Sequence, residues 1–116
     1  MPASSLDVIR GTLDLLVLRA LSWGPAHGYA VARWIESATG EVLQIEEGSL
    51  YPALHRLEAR RWVESDWGQS ENNRKAKYYT LTREGRAQLR AETATWTRYA
   101  EAVFAALRTS ARPAVA

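Results

Sequence analysis

Residues 46–85, EEGSLYPALHRLEARRWVESDWGQSENNRKAKYYTLTREG, decide how this chain folds. Between Glu47 and Arg60, Leu50, Ala53, Leu54 and Leu57 fall at the i, i+3, i+4, i+7 spacing of a buried helix face. At ~100° per residue the opposite side carries Gly48, Pro52, His55, Arg56 and Ala59, with Ser49 and Tyr51 at its margins. Pro52 has no N–H to give, which predicts a place near the helix start. A small, polar and basic outer face lets such a helix approach a groove closely.

Two strands follow, Trp62–Trp67 and Ala76–Leu81, joined by a polar tip over Gln69–Arg74. Alternation puts Val63, Tyr79 and Leu81 on the inner face, while Arg74, Lys75 and Lys77 make this end of the hairpin basic. A helix with a thin polar face beside a basic hairpin suits a duplex: the helix enters a groove and the hairpin holds phosphates. The candidate DNA contacts are therefore Ser49, Tyr51, Pro52, His55, Arg56 and Arg60 on the helix, with Arg74, Lys75 and Lys77 on the hairpin. Arg56 is suited to bidentate hydrogen bonds with guanine. Ser49, Tyr51 and Pro52 suit backbone or a thymine methyl, although Tyr51 fits equally well half-buried with its hydroxyl satisfied internally.

Outward from this stretch, Ile9, Leu13, Leu16, Val17, Ala20 and Leu21 predict a helix over Leu6–Ser22, capped by Ser4 or Ser5. Leu15 and Leu18 make it apolar on two sides, so it is expected to lie between other elements, a second subunit among them. Trp23–Gly28 stops that helix, and a second one is expected over Tyr29–Ala38 with Val31, Trp34, Ile35 and Ala38 on one face. Glu41–Ile45 reads as an extended connection. After the hairpin, Thr82 caps a last helix running to about Arg108. Along it Leu89, Thr93, Trp96, Ala100, Val103 and Leu107 form a heptad-like stripe flanked by Tyr99 and Phe104. So long a helix outruns the domain that could cover it, which predicts a homodimer. The tail from Thr109 is expected to fray.

Composition narrows the function classes. The 116 residues suffice for one domain, and 47% hydrophobic residues are ordinary for a globular protein. The pI is about 9.2, yet fifteen bases face thirteen acids for a net charge of +2, so the case for nucleic acid rests on local clustering. Without cysteine there is no disulfide framework or thiolate metal site. The apolar run Leu13–Leu21 is interrupted by Asp14 and Arg19 and is too short for a bilayer, and the start of the chain has no signal pattern. A soluble cytoplasmic protein without cofactor or metal is expected. His27 reads as structural in its turn, and Glu46 and Glu47 as helix N-terminal charges. No nucleophile–base pair or phosphate-cradling loop points to an enzyme.

Three stretches resemble one family: Gly24-Pro-Ala-His-Gly-Tyr29, Glu47-Gly-Ser-Leu-Tyr-Pro-Ala-Leu-His-Arg-Leu-Glu58 and Lys77-Tyr-Tyr-Thr-Leu-Thr-Arg-Glu-Gly85. With their spacing they resemble the PadR family of bacterial transcriptional regulators, in the short form that ends in a single dimerisation helix. The resemblance implies a mainly α fold with a small β-hairpin wing, an α+β winged helix-turn-helix, within a single domain. Residues 6–81 would form the DNA-binding region, 82–108 the dimerisation helix and 109–116 a tail. It further implies a dimeric repressor on palindromic operator DNA, with Gly48–Arg60 as recognition helix and Gly68–Lys77 as wing. In some PadR-like proteins an aromatic residue on the last helix lines a cavity between subunits where flat hydrophobic effectors stack. The resemblance implies such a place for Trp96, as packing, as a contact for a small hydrophobic or aromatic effector, or as both. One departure concerns Arg61, where family members often carry Gly, and it leaves the shape of that turn open. The near-neutral net charge and the acids Glu64, Asp66 and Glu71 around the wing keep a rival reading alive: a winged-helix module that binds protein instead.

Overall fold

The computed structural model describes residues 6–7, 11–69, 71–112 and 114. Its elements in chain order are β1 (Leu6–Asp7), α1 (Leu13–Leu21), β2 (Ala26–His27), α2 (Gly28–Ala38), β3 (Leu43–Gln44), α3 (Glu47–Ala59), β4 (Val63–Gln69), β5 (Lys75–Leu81) and α4 (Arg83–Arg108). This is the expected α+β arrangement of helices with a hairpin wing. The core is built from the positions that periodicity marks. Val17, Leu18 and Leu21 of α1 meet Val31 and Ile35 of α2, Leu50, Leu54 and Leu57 of α3, and Val63, Tyr79 and Leu81 of the hairpin.

Two expectations are corrected. The first helix does not start at Leu6: Leu6–Asp7 is extended and pairs in parallel with Leu43–Gln44, and Gly11, with φ +94°, separates it from α1. Of the periodic positions read as one helix, Leu13, Leu16, Val17, Ala20 and Leu21 lie in α1. Ile9 and the proposed caps Ser4 and Ser5 lie outside the described residues. Nor is the hairpin a two-stranded ribbon. Ala26–His27 adds a third, antiparallel strand, in the order β2-β5-β4, with Ala26 opposite Tyr79 and His27 opposite Tyr78. Such a strip is too short to show a period-2 pattern.

Local chemistry then fixes how α3 is held. His27 caps α2, its Nδ1 accepting the Ala30 N–H at 3.2 Å, which gives the expected structural role a specific form. Glu36, buried on α2, accepts the Arg33 guanidinium at 2.7 Å and the Ile45 N–H at 2.9 Å, clamping the connection that leads into α3. Pro52 stands in the second turn of α3 rather than at its very start, so the Gly48 carbonyl loses its helix donor. At the other end the Trp62 and Arg61 N–H groups donate to the Leu57 and Glu58 carbonyls, a Schellman closure with Arg61 at φ +63°. The turn thus keeps the left-handed shape that Gly would adopt freely, and Arg61 bears the strain.

The junction between wing and last helix is equally tight. The Thr82 hydroxyl caps α4 by accepting the Gly85 N–H at 2.9 Å and donates to the Arg61 carbonyl at 2.8 Å. Leu89 is the last buried residue of α4, and from Glu101 onward every residue of the helix is exposed. The Cα radius of gyration is 17.2 Å, against about 13 Å for a compact domain of this length.

Candidate nucleic-acid interface

The outer face of α3 carries Gly48, Ser49, Pro52, His55 and Ala59 in solvent, with Arg60 exposed at the end and its guanidinium folded over the Trp62 ring at 5.1 Å. One margin of this face is acidic-basic. Arg56 reaches across to α1, where its Nη2 donates to Asp14 Oδ1 at 2.7 Å and its Nε to Oδ2 at 3.4 Å. The Asp14 carboxylate holds the guanidinium more firmly charged than usual, mainly through that hydrogen bond. On the other margin Tyr51 is 46% exposed and lies over the backbone of Gly28, leaving no room there for a Cβ. One side of the ring is thus packed and the rest is open.

The second margin leads into the wing. Glu58 accepts from the Ser65 hydroxyl and pairs with Lys77 at 3.9 Å, so the Ser65–Lys77 face of the sheet is turned towards α3. Ser65 pairs with Tyr79, Trp67 with Lys77 and Gln69 with Lys75 in the antiparallel register, which puts all six on this one face. Lys75 sits 5.8 Å from the Trp67 ring, and that ring is 61% exposed. Arg74 lies in solvent at the tip. Glu64, Asp66, Gly68 and Tyr78 fall on the opposite face, where Tyr78 packs edge-on against His27. The wing is sorted into a basic, aromatic side facing the helix and an acidic side facing away. Of the three wing cations, Lys77 is the half-buried one and shares its charge with Glu58.

The proposed dimer stripe is divided. Leu89 is turned into the chain's own core at 8% exposure, so it is withdrawn from the set free for a partner; it packs where α4 still lies on the globule. Thr93, Trp96, Val103 and Leu107 are exposed and Ala100 is partly so, with Tyr99 and Phe104 open beside them. Near the root of this stripe a groove of about 400 Å³ runs between α1 and α4, lined by Leu15, Glu92, Trp96 and Tyr99 among others. Among the described residues no group of His, Cys, Asp or Glu is arranged to hold a metal ion. No described helix is long and apolar enough to cross a membrane.

Residues 17–91 match the model of the transcriptional regulator PadR-like family. The chain belongs to that family. Protein X of Lysinibacillus sphaericus is 36% identical over 83 residues, which cover 72% of this chain and 76% of that protein. A PadR family transcriptional regulator from Eggerthella lenta superposes with a TM-score of 0.71 at 37% identity, over 87% of this chain and 86% of its own. A transcriptional regulator from Clostridium thermocellum gives 0.74 at 29% identity, over 82% and 92%.

Seen as a PadR-like wing, the hairpin holds one residue that sequence reasoning passed over. Trp67 reads from sequence as the end of a strand, with no sign of its exposure. The usable signal was its period-2 relation to Val63 and Ser65, which places it on the α3 side. Asp14 gave no such signal: it meets Arg56 across 42 residues of chain.

Proposed function

We propose that this PadR-like chain regulates transcription by binding DNA as a homodimer, with α3 in a major groove and the wing on the adjoining backbone. The observation that carries this reading is the common orientation of two surfaces. The small, polar face of α3 and the basic face of the wing adjoin through Glu58, while Glu64 and Asp66 of the wing point the other way. That sorting takes Glu64 and Asp66 out of the surface proposed for DNA, and so favours this reading over a protein-binding module.

The exposed length of α4 supplies the second half of the reading. Trp96, Val103, Phe104 and Leu107 leave an apolar stripe that a second copy of the same helix covers by heptad packing, with α1 beside it. Pairing sets the two recognition helices about one DNA turn, some 34–36 Å, apart, the spacing of a palindrome read in successive grooves. The dimer bound near a promoter then represses it. A flat hydrophobic effector at Trp96 relieves repression by favouring a helix spacing that no longer fits DNA.

The test is a genomic pull-down with purified protein, followed by footprinting of the best site at two salt concentrations. A protected palindrome whose affinity falls steeply with salt is expected. No enriched site at low salt would overturn the reading.

A further inference from the structure

We infer that Asp14, on α1, is a positioning residue that holds Arg56 of the recognition helix in the orientation for reading a guanine. The inference rests on the DNA reading of α3 above. Asp14 occupies the first turn of α1, where the helix N-terminus favours its carboxylate. Both of its oxygens engage Arg56, at 2.7 Å from Nη2 and 3.4 Å from Nε. A guanidinium carries five N–H donors in a rigid plane. The Asp14 pair takes the edge made by Nε and one hydrogen of Nη2. The remaining edge, two hydrogens on Nη1 and one on Nη2, still presents two parallel N–H groups. That edge matches O6 and N7 of guanine in the major groove.

The exposure of the pair decides between a structural and a positioning role. The Arg56 side chain is 52% exposed, and ion pairs so open to solvent contribute little to stability. Their geometric effect is larger: an unheld arginine samples many rotamers, and the carboxylate selects the few in which the free edge projects from the helix margin. α1 is itself packed into the core through Val17, Leu18 and Leu21, so the buttress is rigid.

Charge alone gives the opposite sign, and this separates the explanations. Removing a carboxylate beside DNA strengthens binding to every duplex through reduced repulsion. Removing a buttress weakens discrimination at one base. Random-duplex selection is run in parallel on the full-length wild type, Asp14→Asn, Arg56→Lys and the double variant. Wild type is expected to enrich guanine at one position per half-site. Asp14→Asn and Arg56→Lys each lower that preference about tenfold and leave the other positions unchanged. Asp14→Asn adds nothing in the Arg56→Lys background. Asp14→Ser, which suits a helix start, gives the same result and guards against a fold defect in the first variant.

A guanine preference intact in Asp14→Asn and Asp14→Ser overturns the inference, as does uniformly tighter binding in both backgrounds. If Arg56→Lys leaves the motif unchanged, Arg56 is not the reader and the inference fails while the wider reading stands. If wild type enriches no sequence and binds duplex without salt dependence, the DNA reading itself has failed.

Discussion

Substituting Gly85 by Ala sets two physical effects against each other at the root of the last helix. Gly85 is the third residue of α4, and in an ordinary helix Ala there gains about 1 kcal/mol over Gly. Here a Cβ would lie 2.0 Å from the Trp62 carbonyl oxygen and 2.8 Å from Leu81 Cδ1. The oxygen is backbone and already accepts the Thr82 N–H at 3.0 Å, so the junction has to open by more than an ångström. Overpacking of this kind costs about 1–3 kcal/mol. Opening the junction also pulls Gly85 from the Thr82 cap, worth about 1 kcal/mol. The expected net loss is about 1–3 kcal/mol, or about 4–12 °C in Tm for a chain of this size. The assay is thermal unfolding by circular dichroism at fixed protomer concentration, because the Tm of a dimer, as proposed above, depends on concentration. Gly48→Ala serves as the control, since a Cβ there meets open space, and it is expected to hold or slightly raise Tm. A Gly85→Ala protein as stable as Gly48→Ala would refute the steric account of the junction.

Four further outcomes follow from the same geometry. Glu36→Ala strands the Ile45 N–H and leaves Arg33 only its longer contact with Glu41 at 3.5 Å, and is expected to cost about 2 kcal/mol in urea unfolding. Arg61→Gly relieves a left-handed residue and should stabilise the fold by about 0.5–1 kcal/mol by the same measurement. The pair Val103→Glu with Leu107→Glu puts charge on the exposed stripe of α4; sedimentation is expected to show a monomer with unchanged helical content. Lys75→Ala should lower the log–log salt slope of duplex binding by about 0.9 units per site, measured by anisotropy across salt.

How far the sequence foretold this molecule depends on whether a feature is periodic or a matter of distance. Leu50, Leu54 and Leu57 are legible because a helix repeats, and Val63, Tyr79 and Leu81 because a strand alternates; all are buried as expected. Leu6–Asp7 and Ala26–His27 are not, since two residues carry no period and their partners lie far along the chain. The heptad stripe of α4 was legible as a stripe. Its division was not, because burying Leu89 depends on where the helix leaves the globule. The outer face of α3 is likewise readable from a helical wheel, while the hold of Asp14 on Arg56 is set by how α1 crosses α3, which no local pattern encodes. Arg61 is the instructive middle case. Its identity suggested an altered turn, but three buried leucines on α3 and the wing strand that follows leave the chain only one way to turn, so the side chain accepts the strain.

The near-neutral net charge deserves a physical reading rather than a vote against nucleic acid. In a strand of period 2, the sign of the charge at a position says nothing about the surface until the register is known. Glu64 and Asp66 lie on either side of Ser65 in sequence, and Trp67 follows, yet the two acids face away from α3 while Ser65 and Trp67 face it. The cross-strand partners on that inner side, Lys75 and Lys77, bring positive charge and, over Trp67, a cation stacked on an open aromatic ring. Glu58 spends part of its charge on Lys77, so the dense end of the basic surface is the outer one, at Lys75 and Arg74. In the proposed complex a duplex lying along α3 meets a wing whose field strengthens towards its tip. With a Debye length of about 8 Å at physiological salt, the acids on the far face are largely screened from it. Thirteen acids and fifteen bases can thus coexist with a coherent cationic face.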